Sequence, residues 1–374
     1  MPQRQSPSGI VRFRNFVDMS APKPRPPKPP KLYNTADKHV LAARLDNETF
    51  DRTTVSFYQY AHILHPQAFR DELFENWMSL DILGRTYVAT EGINAQISVP
   101  NPNWEAFKEA LYSIDFLDGV RLNVAVESDD RAFLKLVVKV RDKILADGLT
   151  DETFDVTNAG THLGADEFNA LTDREDCILI DMRNHYESEV GHFEGAICPD
   201  VENFREEVDQ VEEMLLGMEG TEVDRPIVMY CTGGIRCEKA SAWFKHRGFP
   251  NVHQLEGGII EYVRQVKETG ARNKYLGVNF VFDERLAERV SDDVLSNCHL
   301  CGTPSDAHTN CANPSCNVLM LQCPGCKDKY DGTCGDTCKA VIGLPEEEQA
   351  ALRKGKRSAG RHFPKDRRAT GSDS

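Results

Sequence analysis

The sequence predicts an α/β protein of three parts: a βαββαβ domain, a doubly wound domain with a parallel sheet, and a small cysteine-rich module. Three observations lead to this prediction. Apolar residues follow strand and helix periods in the order β-α-β-β-α-β across residues 51–148. Strands and helices then alternate through residues 149–290, where one cysteine ends a strand. Cysteines crowd into residues 291–342.

Composition limits the class of protein. The 374 residues carry a formal net charge of −15, which argues against a generally basic nucleic-acid-binding surface. Residues 1–50, rich in Pro and basic residues, and the basic tail at residues 343–374 are expected to be disordered. An apolar signal core and long apolar runs are missing, so we expect a soluble, cytoplasmic protein that makes no membrane contact. The twelve cysteines then indicate catalysis and metal binding rather than disulfides.

The first domain is predicted from its periodicity. We expect strands at residues 55–60, 85–89, 95–99 and 121–127, and helices at residues 66–80 and 104–112. This order is that of a ferredoxin-like domain. Basic residues alternate along the extended segment that follows, namely Lys135, Lys139, Arg141 and Lys143. One face of this segment could hold phosphates, although an ordinary charged outer strand face fits the pattern equally well.

The second domain follows a linker at residues 149–157. A first helix with Glu167, Phe168 and Leu171 precedes a strand that ends at Asp181, and a long helix begins near Phe204. A buried strand at residues 227–230 then leads into Cys231 and a tight loop, after which a helix runs to Gly248. A reactive turn at the carboxyl end of a strand fits a parallel, doubly wound sheet.

Cys231 has the surroundings of a nucleophile. The glycines of the loop let backbone N–H groups turn inward around a small anion. The next helix adds its positive dipole end, and Arg236 adds a full charge, so we expect a thiol pKa below the free value of about 8.5. The loop is shorter than one that wraps a phosphate, which favours a smaller group on sulfur. Its residues are Thr232, Gly233, Gly234 and Ile235.

Cys237 directly follows Arg236. It could form a disulfide with Cys231, or it could simply fill the first turn of the helix. We prefer the second interpretation.

Further motifs surround this loop: Asp181–Arg183 at a strand end, Gly191–Ala196, and Leu255–Ile259 after the next strand. Together they resemble the rhodanese fold. The resemblance implies that Cys231 is the loop cysteine that rhodaneses use as a persulfide carrier, and that Asp181 and Arg183 support the loop. An Asp there could accept loop N–H bonds, whereas Arg183 could also pair with Glu187. His192 is expected to fix its turn by hydrogen bonds rather than to act as a general base.

The cysteine-rich module predicts metal binding. Eight thiols are enough for two zinc centres with four thiolates each. They are Cys298, Cys301, Cys311, Cys316, Cys323, Cys326, Cys334 and Cys338. The spacing of the cysteines does not decide whether the two sites use them sequentially or in an interleaved order. An iron–sulfur cluster, or a single metal site with spare thiols, also fits the pattern. His299 or His308 could replace one thiol.

The segment Glu91–Asn94 between the central strands and the basic segment at residues 133–144 add a second resemblance. With the Cys231 loop and the cysteine-rich module, they resemble the rhodanese-domain tRNA uridine hydroxylases (TrhO-like family). This implies oxygen-dependent conversion of wobble uridine to 5-hydroxyuridine in the tRNA anticodon loop, with molecular oxygen as co-substrate, Cys231 required and no organic cofactor. The RNA-binding residues would be Glu91, Asn94, Lys135, Lys139, Arg141 and Lys143.

An activated thiolate suggests a chemical route. The sulfur of Cys231 would add to C6 of a flipped-out uracil and make C5 electron-rich toward an oxygen species, while Arg236 and loop amides stabilise the anion. A persulfide or sulfenic acid on Cys231 is an alternative route. Two other functions stay open: a thiosulfate sulfurtransferase with a persulfide on Cys231, and a non-enzymatic adaptor that binds RNA or protein.

Overall fold

The computed structural model describes residues 38–125, 132–151, 153–217, 224–282, 285–354, 362–365 and 368. The predicted disorder of residues 1–37 and of most of the last twenty residues lies outside these described residues. None of the helices in the described ranges combines the length and the apolar character that a membrane crossing requires.

Helix α1 (Lys38–Asp46) was not predicted. The expectation that residues 1–50 are disordered is wrong here, because Leu41 and Leu45 are buried one helical turn apart. Leu45 packs in a cluster with Leu83 and Phe133, so tertiary contact stabilises a segment whose own pattern is weak.

The first domain has the predicted βαββαβ order, which is confirmed. Its elements are β1 (Arg52–Tyr60), α2 (Pro66–Ser79), β2 (Leu83–Ala89), β3 (Gly92–Pro100), α3 (Trp104–Tyr112) and β4 (Asn123–Val124), and β5 (Leu136–Val140) follows. The sheet order is β4-β1-β3-β2-β5, and the basic segment forms β5, parallel to β2. Among residues 121–125 of the expected last strand, only 123–124 are in a strand, and residues 126–127 lie outside the described residues. Alternation along β1 buries Phe57 against Trp77 and Phe107, which leaves Ser56 and Tyr58 on the opposite face.

The second domain is a parallel, doubly wound sheet, as predicted. Its elements are β6 (Thr161–Leu163), α4 (Ala165–Thr172), β7 (Ile178–Asp181), α5 (His185–Ser188), β8 (Gly191–Phe193), α6 (Phe204–Leu216), β9 (Ile227–Tyr230), α7 (Ile235–His246), β10 (Val252–Leu255) and α8 (Gly258–Thr269). The sheet order is β6-β10-β9-β7, with parallel pairing throughout. Helices α6 and α7 pack in one core cluster, and α4 and α8 pack in another.

The C-terminal part joins the second domain through a small sheet. Strand β11 (Tyr275–Phe280) pairs with β8 and with β12 (Ala287–Arg289). The cysteine-rich module then contains β13 (His308–Asn310), β14 (Leu319–Leu321), α9 (Pro324–Lys329) and α10 (Asp336–Ile342).

Two described stretches correct the prediction that residues 343–374 are disordered. Helix α11 (Glu346–Arg353) carries Glu residues in its first turn and Arg353 in its last, in the order that suits the helix dipole. Further along, Phe363 is buried in the core of the cysteine-rich module, and its N–H donates to the carbonyl of Leu319.

Candidate active site and metal centres

Cys231 stands immediately after β9, at the carboxyl end of the parallel sheet. The loop turns at Gly234, whose φ of +98° is readily adopted only by glycine. This turn directs the N–H of Gly234 to the Sγ of Cys231 at 3.1 Å. Helix α7 then starts at Ile235, so its unpaired first-turn N–H groups also face the sulfur.

The environment of Cys231 favours the thiolate. Burial acts to raise its pKa, but hydrogen bonds from the thiol and N–H of Cys237, together with the Arg236 charge and N–H, lower the pKa to about 5. The predicted direction of the shift is confirmed. At neutral pH the sulfur is therefore an anion ready for nucleophilic attack.

Arg236 contacts a carboxylate in addition to lying near the Cys231 thiolate. It forms a bidentate pair with Glu187, with Nη1–Oε1 and Nη2–Oε2 distances of 2.6 and 2.8 Å. Thr232 Oγ1 lies 3.4 Å from both Arg236 Nη2 and Glu187 Oε2, which ties the loop to this pair. Glu187 is fully buried and accepts the N–H of Asn184 at the start of α5. The sequence carried a signal for this residue, since an Asn three positions before a Glu is typical of a capping box.

Within the described part of the chain, Asp181 does not accept loop N–H groups, and Arg183 does not pair with Glu187, contrary to the two expectations from the sequence. They pair with each other in the core, at 2.8 and 2.6 Å, and Arg183 does not reach Glu187, whose guanidinium partner is Arg236. Among the described residues, Asp181 accepts from Arg183 and Tyr230 rather than from loop amides. Because Tyr230 precedes Cys231, this pair supports the strand that presents the thiol.

His192 lies in the turn at β8. Its Nδ1 lies 3.0 Å from the carbonyl of Ser188, so the ring connects two turns of the backbone. This contact agrees with a role in fixing the turn.

The first domain forms the opposite wall of the site. Asn123 donates through Nδ2 to the carbonyl of Gly233 at 3.2 Å, and a Cβ on Gly234 would lie 2.9 Å from the Tyr58 hydroxyl. A cavity of about 410 Å³ lies between the sheet and the loop. Its lining includes Ser56, Tyr58, Arg85, Tyr87, Asn94, Gln96, Asn123, Tyr186, Cys231, Ile235, Arg236 and Phe282. Cys231 belongs to this wall although its exposed fraction is 0%.

The six residues predicted to bind RNA separate into two groups. Glu91 accepts from the N–H of Ile144 and from Lys239, both at 2.9 Å. Asn94 donates to the carbonyl of Ile144 at 3.4 Å, and Lys143 donates to Asp147 at 2.5 Å. Lys143 also donates to the carbonyl of Leu149 in the linker, and Lys239 belongs to α7, so this group joins the first domain to both.

The second group is exposed: Lys135, Lys139 and Arg141. Lys139 is the register partner of Tyr87, which places both residues on the cavity face of the sheet. The guanidinium of Arg141 lies over the Tyr87 ring, 5.5 Å from its centre. A basic and aromatic surface therefore extends outward from the cavity.

Sequence reasoning missed two buried groups beside the loop. Lys239, 2% exposed, pairs with Glu91 and with the buried Asp147. Glu207 of α6 is 0% exposed, and both its carboxyl oxygens are without a hydrogen-bond partner among the described residues. Burial raises the pKa of Glu207 well above its usual value despite the nearby Arg236, which favours the protonated form of this carboxyl.

The eight cysteines form two tetrads. Cys298, Cys301, Cys323 and Cys326 make one, and Cys311, Cys316, Cys334 and Cys338 make the other, with the sulfurs of each within 4.8 Å of one another. The pairing is therefore interleaved. Four sulfurs at about 2.3 Å from a tetrahedral ion lie roughly 3.8 Å apart. The Cys301–Cys323 and Cys316–Cys334 sulfurs are 3.6 and 3.7 Å apart, so the tetrads fit such an ion.

Neither histidine considered as a ligand belongs to a tetrad. The Nε2 of His299 lies 3.2 Å from Glu189, and its Nδ1 accepts the N–H of Leu321. His308 is half-buried with its ring against Phe280, and desolvation of the ring lowers its pKa to about 4.

Comparisons with known proteins agree with this architecture. Residues 52–144 match the family model described as "UPF0176 acylphosphatase like domain", residues 164–265 match "Rhodanese-like domain", and residues 276–339 match "Rhodanase C-terminal".

Relatives match along most of the chain. A protein of Leptospira interrogans is 49% identical over 346 residues, which covers 92% of this chain and 93% of the relative. A protein of Photorhabdus laumondii is 50% identical over 339 residues, which covers 90% and 95%. Both carry the name tRNA uridine(34) hydroxylase. Identity at this level over nine-tenths of the sequence shows that the chain belongs to the tRNA uridine(34) hydroxylase family.

Proposed function

We propose that this protein is a tRNA-modifying enzyme that hydroxylates the wobble uridine, U34, to 5-hydroxyuridine with molecular oxygen as co-substrate. One observation carries the proposal: a thiol with a pKa of about 5 lies on the wall of a cavity of about 410 Å³. That volume falls within the range of small-molecule sites, roughly 300–1,000 Å³, and accepts a single nucleobase.

The chemistry starts at Cys231. Its thiolate adds to C6 of the uracil, and the negative charge passes to C5 and the neighbouring carbonyl, where C5 can attack oxygen. The N–H groups of the loop and first helical turn hold the sulfur anion before attack and after its release. Arg236, fixed by Glu187, supplies positive charge beside the reacting base.

Entry of the base requires a small movement. Cys231 has no exposed surface, although it lines the cavity. We propose that the sheet of the first domain and the loop separate when RNA binds, by loosening contacts such as Asn123 to Gly233. A base flipped out of the anticodon loop then enters between them.

The RNA backbone is proposed to follow the exposed basic surface beside the cavity. Lys135, Lys139 and Arg141 would contact phosphates, and Tyr87 offers an aromatic face for a base. Glu91, Asn94 and Lys143 would contribute indirectly, because their contacts within the protein hold the cavity wall in place.

Both cysteine tetrads are proposed to hold structural zinc. Thiolate ligands suit this ion, and each tetrad uses four ligands, which leaves no open position for catalysis. Reduced thiols and a tRNA substrate are consistent with a cytoplasmic protein. We propose that the three domains span residues 51–148, 149–290 and 291–342.

The test is nucleoside analysis of tRNA from a strain that lacks the gene. The wild-type gene should restore 5-hydroxyuridine and its derivatives, and Cys231→Ser should not. Normal hydroxylation by Cys231→Ser would refute the role of the sulfur. Unchanged nucleosides in the deletion strain, with thiocyanate release from thiosulfate and cyanide by the purified protein, would favour a sulfurtransferase. Unchanged nucleosides with tRNA binding alone would favour an adaptor.

A further inference from the structure

The active loop holds two thiols. Cys231 and Cys237 are both 0% exposed and belong to the same core cluster. The N–H and the thiol of Cys237 both act to lower the pKa of Cys231, as groups beside its sulfur do. Of these two residues, only Cys231 lines the cavity. The sulfur of Cys231 therefore faces the cavity, whereas Cys237 is buried in the core outside the cavity lining.

The helix start explains this proximity. Gly234 caps α7, so Cys237 is the third residue of the helix and its N–H has no partner within the helix. Helical side chains lean toward the N-terminus, which directs the Cys237 thiol back to the loop.

The proposed reaction needs two electrons. Oxygen places one atom on C5 of uridine, and the other atom leaves as water only if a reductant supplies two electrons and two protons. Two thiols release two electrons and two protons when they form a disulfide. We propose that Cys231 and Cys237 supply the two electrons of each turnover and form a disulfide at its end. This inference rests on the proposed hydroxylation.

The steps balance. Cys231 adds to C6, and oxygen adds at C5 to give a hydroperoxide once a proton reaches its terminal oxygen. The sulfur of Cys237 takes this terminal OH as sulfenic acid, and its own proton passes to the oxygen left on C5. Loss of the C5 proton then expels the Cys231 thiolate and restores the double bond of 5-hydroxyuridine. Cys231 attacks the Cys237 sulfur, and hydroxide leaves with a proton as water.

In sum, one uridine, one oxygen molecule and two thiols give one 5-hydroxyuridine, one water and one disulfide. An external dithiol then reduces the disulfide by thiol exchange.

Ionisation of the two thiols suits this order of events. Cys231 is the thiolate, while burial and the adjacent anion raise the pKa of Cys237, which therefore keeps its proton at first. When Cys231 becomes bonded to carbon, its charge disappears. The same amides and Arg236 then favour ionisation of Cys237 at the moment when it must attack.

A single-turnover experiment tests the proposal. The full-length protein is reduced, freed of reductant without air, and mixed with tRNA that contains U34 in air-saturated buffer. Free thiols are then alkylated and the chain is digested. Trypsin cleaves after Arg236, so a disulfide between Cys231 and Cys237 joins two otherwise separate peptides. We expect up to one 5-hydroxyuridine per chain and an equal amount of this cross-linked pair.

The variant Cys237→Ser should form less than a tenth of the wild-type product in that first turnover, and an added dithiol should restore part of it. The matched control is Cys177→Ser, a partly buried cysteine outside the cavity lining, which should behave like the wild type. The wild-type peptide map decides the question even if Cys237→Ser folds poorly.

A full equivalent of product with both wild-type thiols still alkylated would overturn this inference. So would a full first turnover by Cys237→Ser without dithiol. Neither outcome touches the proposed function. Failure of the wild type to form 5-hydroxyuridine with excess dithiol would instead overturn the proposed function and, with it, this inference.

Discussion

The ionisation of Cys231 gives the sharpest test of the site. With a pKa of about 5, only about one thiol in a hundred keeps its proton at pH 7. The perturbation is Arg236→Gln, which removes the positive charge beside the sulfur and leaves the loop amides. Loss of an opposite charge at close range raises a thiol pKa by about 1 to 3 units, so the midpoint should move to roughly 6–8.

The assay follows the rate of alkylation of Cys231 against pH, with the modified peptide identified by mass spectrometry. Arg247→Gln is the matched control, because Arg247 follows the same helix and pairs with Glu212 at its far end. It should leave the midpoint near 5. Equal midpoints for wild type and Arg236→Gln, or a wild-type midpoint near 8.5, would refute the electrostatic argument.

The same shift links stability to pH. The pKa of the thiol is about 8.5 in the unfolded chain and about 5 in the folded protein, so folding lowers it. The thiolate therefore stabilises the fold fully above about pH 8.5, and this contribution is lost as the pH falls to 5 and below. At pH 7 it is about 3 kcal/mol relative to Cys231→Ser, and urea unfolding should show the difference shrinking at pH 5.

Three other predictions concern groups around the site. Glu207→Gln should raise the free energy of unfolding at pH 8 but not at pH 4, because the folded state binds the Glu207 proton more tightly than the unfolded chain, which releases it above about pH 4.3; an equal change at both pH values would contradict this. Cys301→Ser with Cys326→Ser should remove one of two bound zinc ions, whereas Cys301→Ser with Cys311→Ser should remove both; elemental analysis giving the reverse would indicate sequential tetrads. Lys139→Gln should weaken tRNA binding and reduce the slope of log K against log salt by about 1, and an unchanged slope would exclude a phosphate contact.

Local patterns in the sequence were enough to predict the elements that carry the chemistry. Strand and helix periods gave the βαββαβ domain and the parallel sheet, because side-chain periodicity reflects which face of an element is buried. The thiolate at Cys231 followed from Gly233, Gly234 and Arg236 within one turn, since their effect on the sulfur acts through neighbouring atoms. The number of thiols near the C-terminus likewise predicted two four-ligand centres.

Only the tertiary structure decided which distant groups meet. Arg236 rather than Arg183 pairs with Glu187, because α5 and α7 pack at the same end of the sheet. The cysteines interleave because β13 and β14 pair and bring Cys298 and Cys301 toward Cys323 and Cys326. The cavity arises because the polar face of the first sheet lies against the loop through contacts such as Asn123 to Gly233. Such pairings depend on how elements far apart in the chain pack together, and the spacing within any one segment carries no information about them.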